Sequence, residues 1–330
     1  MEPMTDIQEL QILARGFQRS RVFLTAMELD LFSALGDEPR TATELAERVG
    51  ADARAVDRLA NVLVVLGLLE KRGDEFANTE LAAERLVRGK PGYIANLAHI
   101  NDMWKTWSTL TEAVRAGHSV IDRGIGDGWA TERRESFIAA MHHRGREQAP
   151  VVADLLDLSG VERVLDVGGG SACFSAEFAR QRAGLTATVF DLPTIVPITQ
   201  RYIDEQGMSE RIDICAGDYN VDPFPGGYDL VFLSAIAHIE NDEGNAALIA
   251  KAADALRPGG QVVVVDYVMD ESRLAPPPGA IFALNMLVAT VRGDTFTESE
   301  MRRWFTAAGL TDVQRIDTPF LSVMIVGRKV

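Results

Sequence analysis

A run of three glycines behind an aspartate marks the part of the sequence best suited to hold a ligand. Asp166 lies in a short apolar run, and apolar residues at helical spacing begin a few positions later. Between the two patterns lie Gly168, Gly169 and Gly170. The segment therefore predicts a buried strand, a tight turn and a helix. Glycines in such a turn let a ligand approach the backbone, and the helix presents unpaired N–H groups toward it.

The spacing of these glycines excludes two common phosphate-binding motifs. A dinucleotide motif G-x-G-x-x-G that starts at Gly168 needs a third glycine where Cys173 stands. The phosphate loop G-x-x-x-x-G-K-[ST] does not occur at this turn either. In addition, Asp166 repels a pyrophosphate but attracts an ammonium group.

Two further acids follow the next predicted strands. Asp191 ends a strand that begins near Leu185, where an acid accepts hydrogen bonds from ribose hydroxyls in nucleotide-binding folds. Asp218 follows the third strand and can accept from an adenine amino group. The alternative for each strand-end acid is to cap the element that follows. A ligand with an amine, a ribose and an adenine but no phosphate is S-adenosylmethionine, which we predict as the cofactor.

The elements that position these acids form an α/β domain. Five apolar strands alternate with helices between Arg163 and Val268, which predicts a parallel sheet covered on both faces. The two last apolar runs have no helix between them, so we expect an antiparallel hairpin at the sheet edge. With 330 residues, of which 47% are hydrophobic and 25% charged, the chain is long enough for two globular domains.

The region before the strands is predicted to be helical. Two helices are expected over residues 7–36, then a short helix capped by Thr41 or Thr43, and a second helix over about residues 54–66. Two extended runs around a Gly-Asp turn come next. This order is typical of a winged helix, which serves either as a DNA-binding module or as a dimerisation domain.

Charge favours dimerisation over DNA binding. Between Thr41 and Arg88 the sequence has 7 basic and 9 acidic residues, and the formal net charge of the chain is −15. A protein that binds nucleic acid gathers basic residues to neutralise phosphates, and an anionic membrane repels an acidic chain. The apolar first helices also have no obvious cover within the chain, which supports contact between subunits.

Residues 92–158 continue the helical pattern, with a glycine-rich break at residues 124–128. Trp104 and Trp107 in this segment either belong to a core or wall a substrate pocket. The residues that we predict to contact a small-molecule substrate are Trp104, Trp107, Met141, His142, Asn285 and Met286.

Cysteine content and hydropathy add two expectations. Cys173 and Cys215 are too few for a disulfide framework. No signal peptide is recognisable, and no apolar run has the roughly 18 residues of a membrane span. We therefore expect a cytoplasmic protein.

Five segments together resemble the class I S-adenosylmethionine-dependent methyltransferases. They are D-V-G-G-G-S-A, F-D-L-P, A-G-D-Y, L-S-A-I-A-H and L-R-P-G-G. Within this class the chain is similar to the O-methyltransferases of the plant caffeate and bacterial tailoring type, which carry an N-terminal winged-helix dimerisation domain. The resemblance covers nearly the whole chain. It implies a Rossmann-like seven-stranded methyltransferase sheet, a homodimer and a small-molecule acceptor.

The resemblance also implies domain boundaries and cofactor contacts. It divides the chain into a dimerisation domain at residues 1–95, a helical linker that contributes to the substrate pocket at residues 96–158, and a cofactor-binding catalytic domain at residues 159–330. In it Asp191 holds the ribose, while Asp218 and Tyr219 frame the adenine. The cofactor-binding residues that it implies are Asp166, Gly168, Gly169, Gly170, Asp191, Leu192, Asp218, Tyr219 and Ser234.

His238 matches the catalytic histidine of the family. A neutral imidazole can take a proton from a hydroxyl as its oxygen attacks the sulfonium methyl group. The family's glutamate that orients this histidine corresponds to Thr295 here, so Asp266 or Asp294 is the candidate substitute. We predict His238 and Asp266 as the catalytic residues.

Alternatives to O-methylation stay open because Ile239 and Glu240 replace the Asp-Trp pair that follows the family's histidine. S-methylation of a thioether or thiol is one alternative, and a thioether sulfur attacks without a base. A carbon acidified by a neighbouring keto group is a third acceptor, for which His99, His142 or His143 can join His238 at a metal. The sequence has no H-x-x-x-H pair, so we predict no metal. A winged-helix regulator that only senses the ligand is the alternative outside the enzymes.

An acidic acceptor is a further hypothesis. Arg144, Arg146 and Arg292 are candidates for binding a substrate carboxylate. The alternative is that all three are solvated surface arginines.

Overall fold

A computed structural model describes residues 6–94, 97–121 and 131–330. The chain divides into two compact units, Met1–Asp102 and Met103–Val330. The glycine-rich break predicted at residues 124–128 lies outside the described residues. In the part of the chain that is described, no helix is long and apolar enough to cross a membrane.

The first unit consists of short helices and a small antiparallel sheet. Its elements are α1 (Ile7–Arg15), α2 (Phe17–Glu28), α3 (Leu31–Leu35), β1 (Arg40–Thr41), α4 (Ala42–Val49), α5 (Ala53–Val65), β2 (Leu69–Arg72), β3 (Glu75–Asn78) and α6 (Glu80–Arg85). The strands lie in the order β1-β3-β2, and all pair antiparallel. The predicted sequence of two helices and a hairpin is therefore present.

Local signals explain most of these boundaries. Thr41 begins α4 because its side chain accepts from the backbone N–H of Glu44, while the Glu44 carboxylate accepts from the Thr41 N–H. The prediction of only two helices over residues 7–36 is wrong. Asp30 adopts a left-handed conformation with φ 51°, and this turn separates α3 from α2.

The first helix exposes its apolar side chains. Ile7, Leu10, Ile12 and Leu13 are 71%, 55%, 71% and 64% exposed, and no residue of α1 is buried. The core of this unit is formed instead by later elements, with Phe32 on α3 and Phe76 on β3 almost fully buried. α1 therefore contributes nothing to the core of its own unit.

The second unit contains the larger sheet. The helix α7 (Leu97–Trp107) runs across the division between the units. The remaining elements are α8 (Leu110–Ala116), α9 (Thr131–Leu155), β4 (Arg163–Val167), α10 (Cys173–Gln181), β5 (Thr186–Asp191), α11 (Val196–Glu205), β6 (Ile212–Ala216), β7 (Tyr228–Ser234), α12 (Asp242–Ala255), β8 (Leu256–Asp266), β9 (Val268–Met269), α13 (Pro277–Ala289), β10 (Phe296–Thr297), α14 (Glu298–Ala307), β11 (Leu310–Asp317) and β12 (Val323–Lys329).

The strand order of the large sheet confirms the predicted α/β class. The order is β11-β12-β8-β7-β4-β5-β6. Strands β4 to β8 are parallel, whereas β12 is antiparallel to both β8 and β11, as predicted for the edge hairpin. The chain leaves β4 in one direction toward β5 and β6 and returns on the other side with β7. The C-terminal end of β4 is therefore the switch point where open sheets bind ligands.

Successive side chains of each strand point to opposite faces of the sheet, so there is a hydrophobic core on each face. On β4, Val164 belongs to one core and Leu165 to the other. In the sequence, R-P-G-G predicts the end of a helix and Gln261 the start of the fifth strand. β8 instead begins at Leu256, which already pairs with Tyr228 of β7, so R-P-G-G belongs to the strand.

Candidate active site

The turn after β4 requires glycine at the positions where it occurs. Gly168 has φ 65°, and a Cβ there would lie 2.4 Å from Cδ1 of Ile236. A Cβ at Gly169 would lie 2.7 Å from a carboxylate oxygen of Asp166. These contacts leave no room for a side chain, so the backbone of the turn stays open at the sheet's switch point.

Asp191 closes the turn from the neighbouring strand. Its carboxylate accepts hydrogen bonds from the backbone N–H of Gly170 and of Leu192, each at 2.8 Å. Burial raises the pKa of Asp191 to about 6, although both backbone donors act in the opposite direction. The acid that we predicted to hold the ribose therefore lies directly beside the glycine turn.

Asp166 lies beneath the turn rather than on its surface. It is 2% exposed, and its Oδ2 accepts from the hydroxyl of Ser175 on α10 at 2.7 Å. Burial raises the pKa of Asp166 to about 7, and the neighbouring Asp191 also raises it, while the Ser175 hydrogen bond lowers it. Asp166 thus supports the turn from below.

The residues after β6 form a second group. Asp218 Oδ1 accepts from the N–H of Asn220 at 2.8 Å, so one carboxylate oxygen is engaged in a local turn. The hydroxyl of Tyr219 donates to Glu240 Oε1 at 3.2 Å. Burial, followed by the nearby Glu240 carboxylate, raises the pKa of Tyr219. The Glu240 side chain is 4% exposed and also forms an ion pair with Arg292.

His238 lies in a short 3-10 turn, Ala237–Ile239, that follows β7. Its Nδ1 is 2.8 Å from Asp266 Oδ1, and its backbone N–H donates to Asp266 Oδ2 at 3.1 Å. Asp266 ends β8, the neighbour of β7, and its side chain is 3% exposed. Because Nδ1 faces the carboxylate, Nε2 is the ring nitrogen left for a ligand.

The structure places Asp266, and not Asp294, beside the histidine. The Asp294 side chain is 51% exposed and faces Arg273. Only the backbone of Asp294 contacts the histidine loop, where its N–H donates to the carbonyl of His238 at 3.1 Å. Thr295, at the position of the family's glutamate, is buried.

Two aromatic residues that the sequence analysis missed form a wall beside His238. Phe282 of α13 is edge-on to the imidazole, with ring centroids 4.9 Å apart, and it stacks on Tyr267 at 4.2 Å. The place of Tyr267, directly after Asp266, was a usable signal. Phe282 gave none, because its position depends on how α13 packs.

The predicted acceptor residues fall into two groups. Trp107 Nε1 donates to Asn285 Oδ1 at 2.9 Å, which brings the C-terminal end of α7 to α13, where Met286 is buried. His142 lies elsewhere, with Nδ1 2.9 Å from the hydroxyl of Ser171, which follows the glycine turn. Burial, with Arg146 adding to it, lowers the pKa of His142.

The remaining predicted residues are half-buried. Trp104 lies on α7, Met141 on α9 and Ser234 at the end of β7, and Leu192 packs against Ile138 and its neighbours. Among the described residues, no group of three or more His, Cys, Asp or Glu side chains is arranged to hold a metal. The side chain of His99 lies outside the described part of the chain.

Comparisons with known proteins show the family of the chain. The chain matches the O-methyltransferase domain over residues 107–311 and the O-methyltransferase dimerisation domain over residues 12–88. It is 32% identical to the tetracenomycin polyketide synthesis 8-O-methyl transferase TcmO of Streptomyces glaucescens, covering 100% of this chain and 99% of that protein. It is 34% identical to the 3-hydroxy-5-methyl-1-naphthoate 3-O-methyltransferase of Streptomyces sahachiroi, covering 96% and 94%.

A solved structure adds the cofactor. Human N-acetylserotonin methyltransferase in complex with S-adenosylmethionine superposes with a TM-score of 0.84 at 27% identity, covering 100% of this chain and 99% of that one. Fold and site therefore define an enzyme that transfers a methyl group from S-adenosylmethionine to a small molecule. The chain belongs to the O-methyltransferase family. This membership does not favour S-methylation, C-methylation or a ligand-sensing regulator.

Proposed function

We propose that this enzyme methylates a hydroxyl group of an aromatic small molecule, with His238 as general base. The observation that carries the proposal is the hydrogen-bonded pair of His238 and Asp266. The pair lies at the C-terminal ends of the adjacent strands β7 and β8, at the same end of the sheet as the glycine turn. The names of the two Streptomyces relatives, which refer to a polyketide and a hydroxynaphthoate, support an aromatic acceptor.

The residues at the switch point fit the cofactor. Asp191 lies beside the turn, where its carboxyl group suits a ribose and repels phosphate, and Asp166 adds a second acid beneath the turn. We infer that Asp191 binds the ribose, that Leu192, Asp218 and Tyr219 surround the adenine, and that the glycine turn with Asp166 and Ser234 holds the amino-acid end. The bound cofactor supplies an electrophilic methyl group on a sulfonium.

The protein's own contribution to the reaction is positioning and proton transfer. The hydrogen bond to Asp266 assigns the proton to Nδ1 of His238 and leaves the lone pair of Nε2 for the acceptor hydroxyl. When Nε2 takes the hydroxyl proton, the buried Asp266 carboxylate stabilises the imidazolium that forms. Asp266 is a positioning residue, and its two hydrogen bonds to His238 fix both the ring and the loop.

We also propose that the chain forms a homodimer through a winged-helix dimerisation domain. The exposed apolar face of α1 and the match to the dimerisation domain support this assembly. The division into residues 1–95, 96–158 and 159–330 stays a prediction, as does a cytoplasmic location.

Substitution of His238 tests the proposed base. Removal of a general base lowers kcat by about 10²- to 10⁴-fold, so His238→Ala loses that much activity toward hydroxynaphthoate acceptors. Its affinity for S-adenosylhomocysteine, measured by calorimetry, stays that of the wild type. The control His143→Ala removes an exposed histidine of α9 and keeps full activity. A loss below tenfold in His238→Ala shows that no base is needed.

A further inference from the structure

A pocket of about 450 Å³ lies between α9 and the loop that joins β11 to β12. It is lined by Arg144, Gln148, Tyr267, Pro319, Phe320 and Leu321. Gln148 is 8% exposed and Arg144 is half-buried, and both line the pocket. Apart from Arg144, none of these residues was a candidate from the sequence.

The side chains of Arg144 and Gln148 have no hydrogen bond or ion pair with any other described residue. The Arg144 guanidinium lies over the Tyr267 ring, 5.8 Å from its centroid. The other two candidate arginines differ, because Arg292 pairs with Glu240 and Arg146 is exposed.

This combination of side chains is complementary to an aromatic carboxylate. A guanidinium binds a carboxylate through two parallel hydrogen bonds, and the Gln148 amide offers a further donor. The Tyr267 and Phe320 rings provide flat apolar walls for an aromatic ligand. The formal net charge of −15 works against a general attraction for anions, so carboxylate binding here depends on the local guanidinium.

The pocket shares a wall with the catalytic pair. Tyr267 follows Asp266 directly and donates its N–H to the Asp266 carboxylate at 2.8 Å. Its ring stacks on Phe282, which contacts His238. We propose that Arg144 and Gln148 bind a carboxylate of the acceptor, so that the enzyme selects aromatic hydroxy acids. This inference rests on the proposed function.

Binding of a matched pair of probes tests the inference. The protein is saturated with S-adenosylhomocysteine and titrated with 1-naphthoate and, separately, with the uncharged 1-naphthamide. Wild type binds 1-naphthoate at least tenfold more tightly than 1-naphthamide. Arg144→Met abolishes this preference, whereas Arg146→Met, which removes the same charge two residues further along α9, retains it. The heat of S-adenosylhomocysteine binding shows that each variant is folded.

The possible failures are distinguishable. If wild type binds S-adenosylhomocysteine but does not prefer 1-naphthoate, or if the preference survives in Arg144→Met, the carboxylate site is overturned and the proposed O-methyltransferase stands. Absence of any 1-naphthoate binding to the loaded protein also overturns the carboxylate site. If wild type does not bind S-adenosylhomocysteine, the proposed function itself fails.

Discussion

Asp166, which is buried, and Asp191, which is half-buried, share one glycine turn, and the pKa of each carboxyl group lies above that of an exposed aspartate. The pKa of Asp191 rises from 3.8 to about 6, because burial disfavours the charged form. Ribose hydroxyls donate hydrogen bonds, which favour the ionised carboxylate. In the proposed site, where Asp191 binds the ribose, cofactor binding therefore competes with protonation of Asp191, and below about pH 6 binding expels a proton.

The affinity for S-adenosylhomocysteine is expected to fall as the pH drops through 6, by up to about tenfold per pH unit. Calorimetry between pH 5 and pH 8 measures this profile. Asp191→Asn binds more weakly at pH 8 and lacks the step near pH 6, whereas Asp213→Asn, an exposed aspartate of β6, keeps the wild-type profile. A flat profile in wild type contradicts the role of Asp191.

Sequence patterns located the residues of the proposed site better than the residues that contact them. The turn glycines, Asp191 and His238 each follow an apolar strand, and parallel strands bring such positions to one edge. The choice between Asp266 and Asp294 depended on which strand lies beside β7, and strand order is not encoded in local spacing. From the sequence, Arg144 was one of three equivalent candidates for binding a carboxylate. The surroundings of Arg146 and Arg292 in the structure distinguish it from them.

At the scale of elements, an ion pair between the buried Glu240 and the partly exposed Arg292 joins loops around the proposed site. Glu240 follows the His238 turn, Arg292 follows α13, and Tyr219 follows β6. Glu240 accepts a hydrogen bond from the Tyr219 hydroxyl and forms an ion pair with Arg292, and Arg292 also donates to Asn220 at 2.8 Å. Loss of one partner from a buried pair costs more than loss of both, because a lone buried charge is left behind.

A double-mutant cycle measures this link. Arg292→Met is expected to lower the free energy of unfolding by about 1–3 kcal/mol, less than for a fully buried pair since Arg292 is 44% exposed. Glu240→Gln in the Arg292→Met background restores part of the loss in urea unfolding. Arg303→Met breaks an exposed pair with Asp242 and changes stability by less than about 0.5 kcal/mol. If the changes in the free energy of unfolding caused by the two single substitutions simply add up in the double variant, the link is contradicted.

The contact between α9 and α10 depends on the absence of one side chain. A Cβ at Gly145 would lie 2.2 Å from Sγ of Cys173 and 3.7 Å from its Cβ. Gly145→Ala is therefore expected to destabilise the enzyme by about 1–3 kcal/mol through overpacking. In a Cys173→Ala background, the same change is neutral or stabilises by about 0.5–1 kcal/mol, because alanine favours a helix. Thermal unfolding of the wild type, the two single variants and the double variant measures these changes in stability. If Gly145→Ala destabilises the protein equally in both backgrounds, the steric explanation is contradicted.

Elements were predictable where the signals were local. Thr41 capped its helix as expected, and the edge hairpin followed from two apolar runs without a helix between them. The break at Asp30 was missed because the turn uses a left-handed aspartate in place of glycine. The early start of β8 was missed because pairing with β7 overrode the turn preference of R-P-G-G.

At the scale of the whole molecule, the exposed apolar residues of α1 and of the start of α2 are the surface of the proposed dimer. Leu10 and Leu13 of α1 and Phe17 of α2 are all more than half exposed. Introducing Leu10→Glu together with Leu13→Glu is expected to convert the proposed dimer into a monomer. Light scattering measures the change from twice the 36.0 kDa chain mass to that mass itself. The control Val221→Glu changes an exposed residue of the second unit and is expected to leave the mass of the proposed dimer unchanged. If the double variant keeps the mass of the wild type, the proposed interface is contradicted.

The position of β12 in the sheet bears on how the chain acquires its fold during synthesis. Met324 and Val326 belong to one core and Val323 and Ile325 to the other, so this late strand completes both faces. The ribosome adds about 5–20 residues per second from the N-terminus. The first unit has its whole core before residue 102 and can fold early. The second unit waits for β12, and until that strand is made β8 presents an unpaired edge that is open to aggregation.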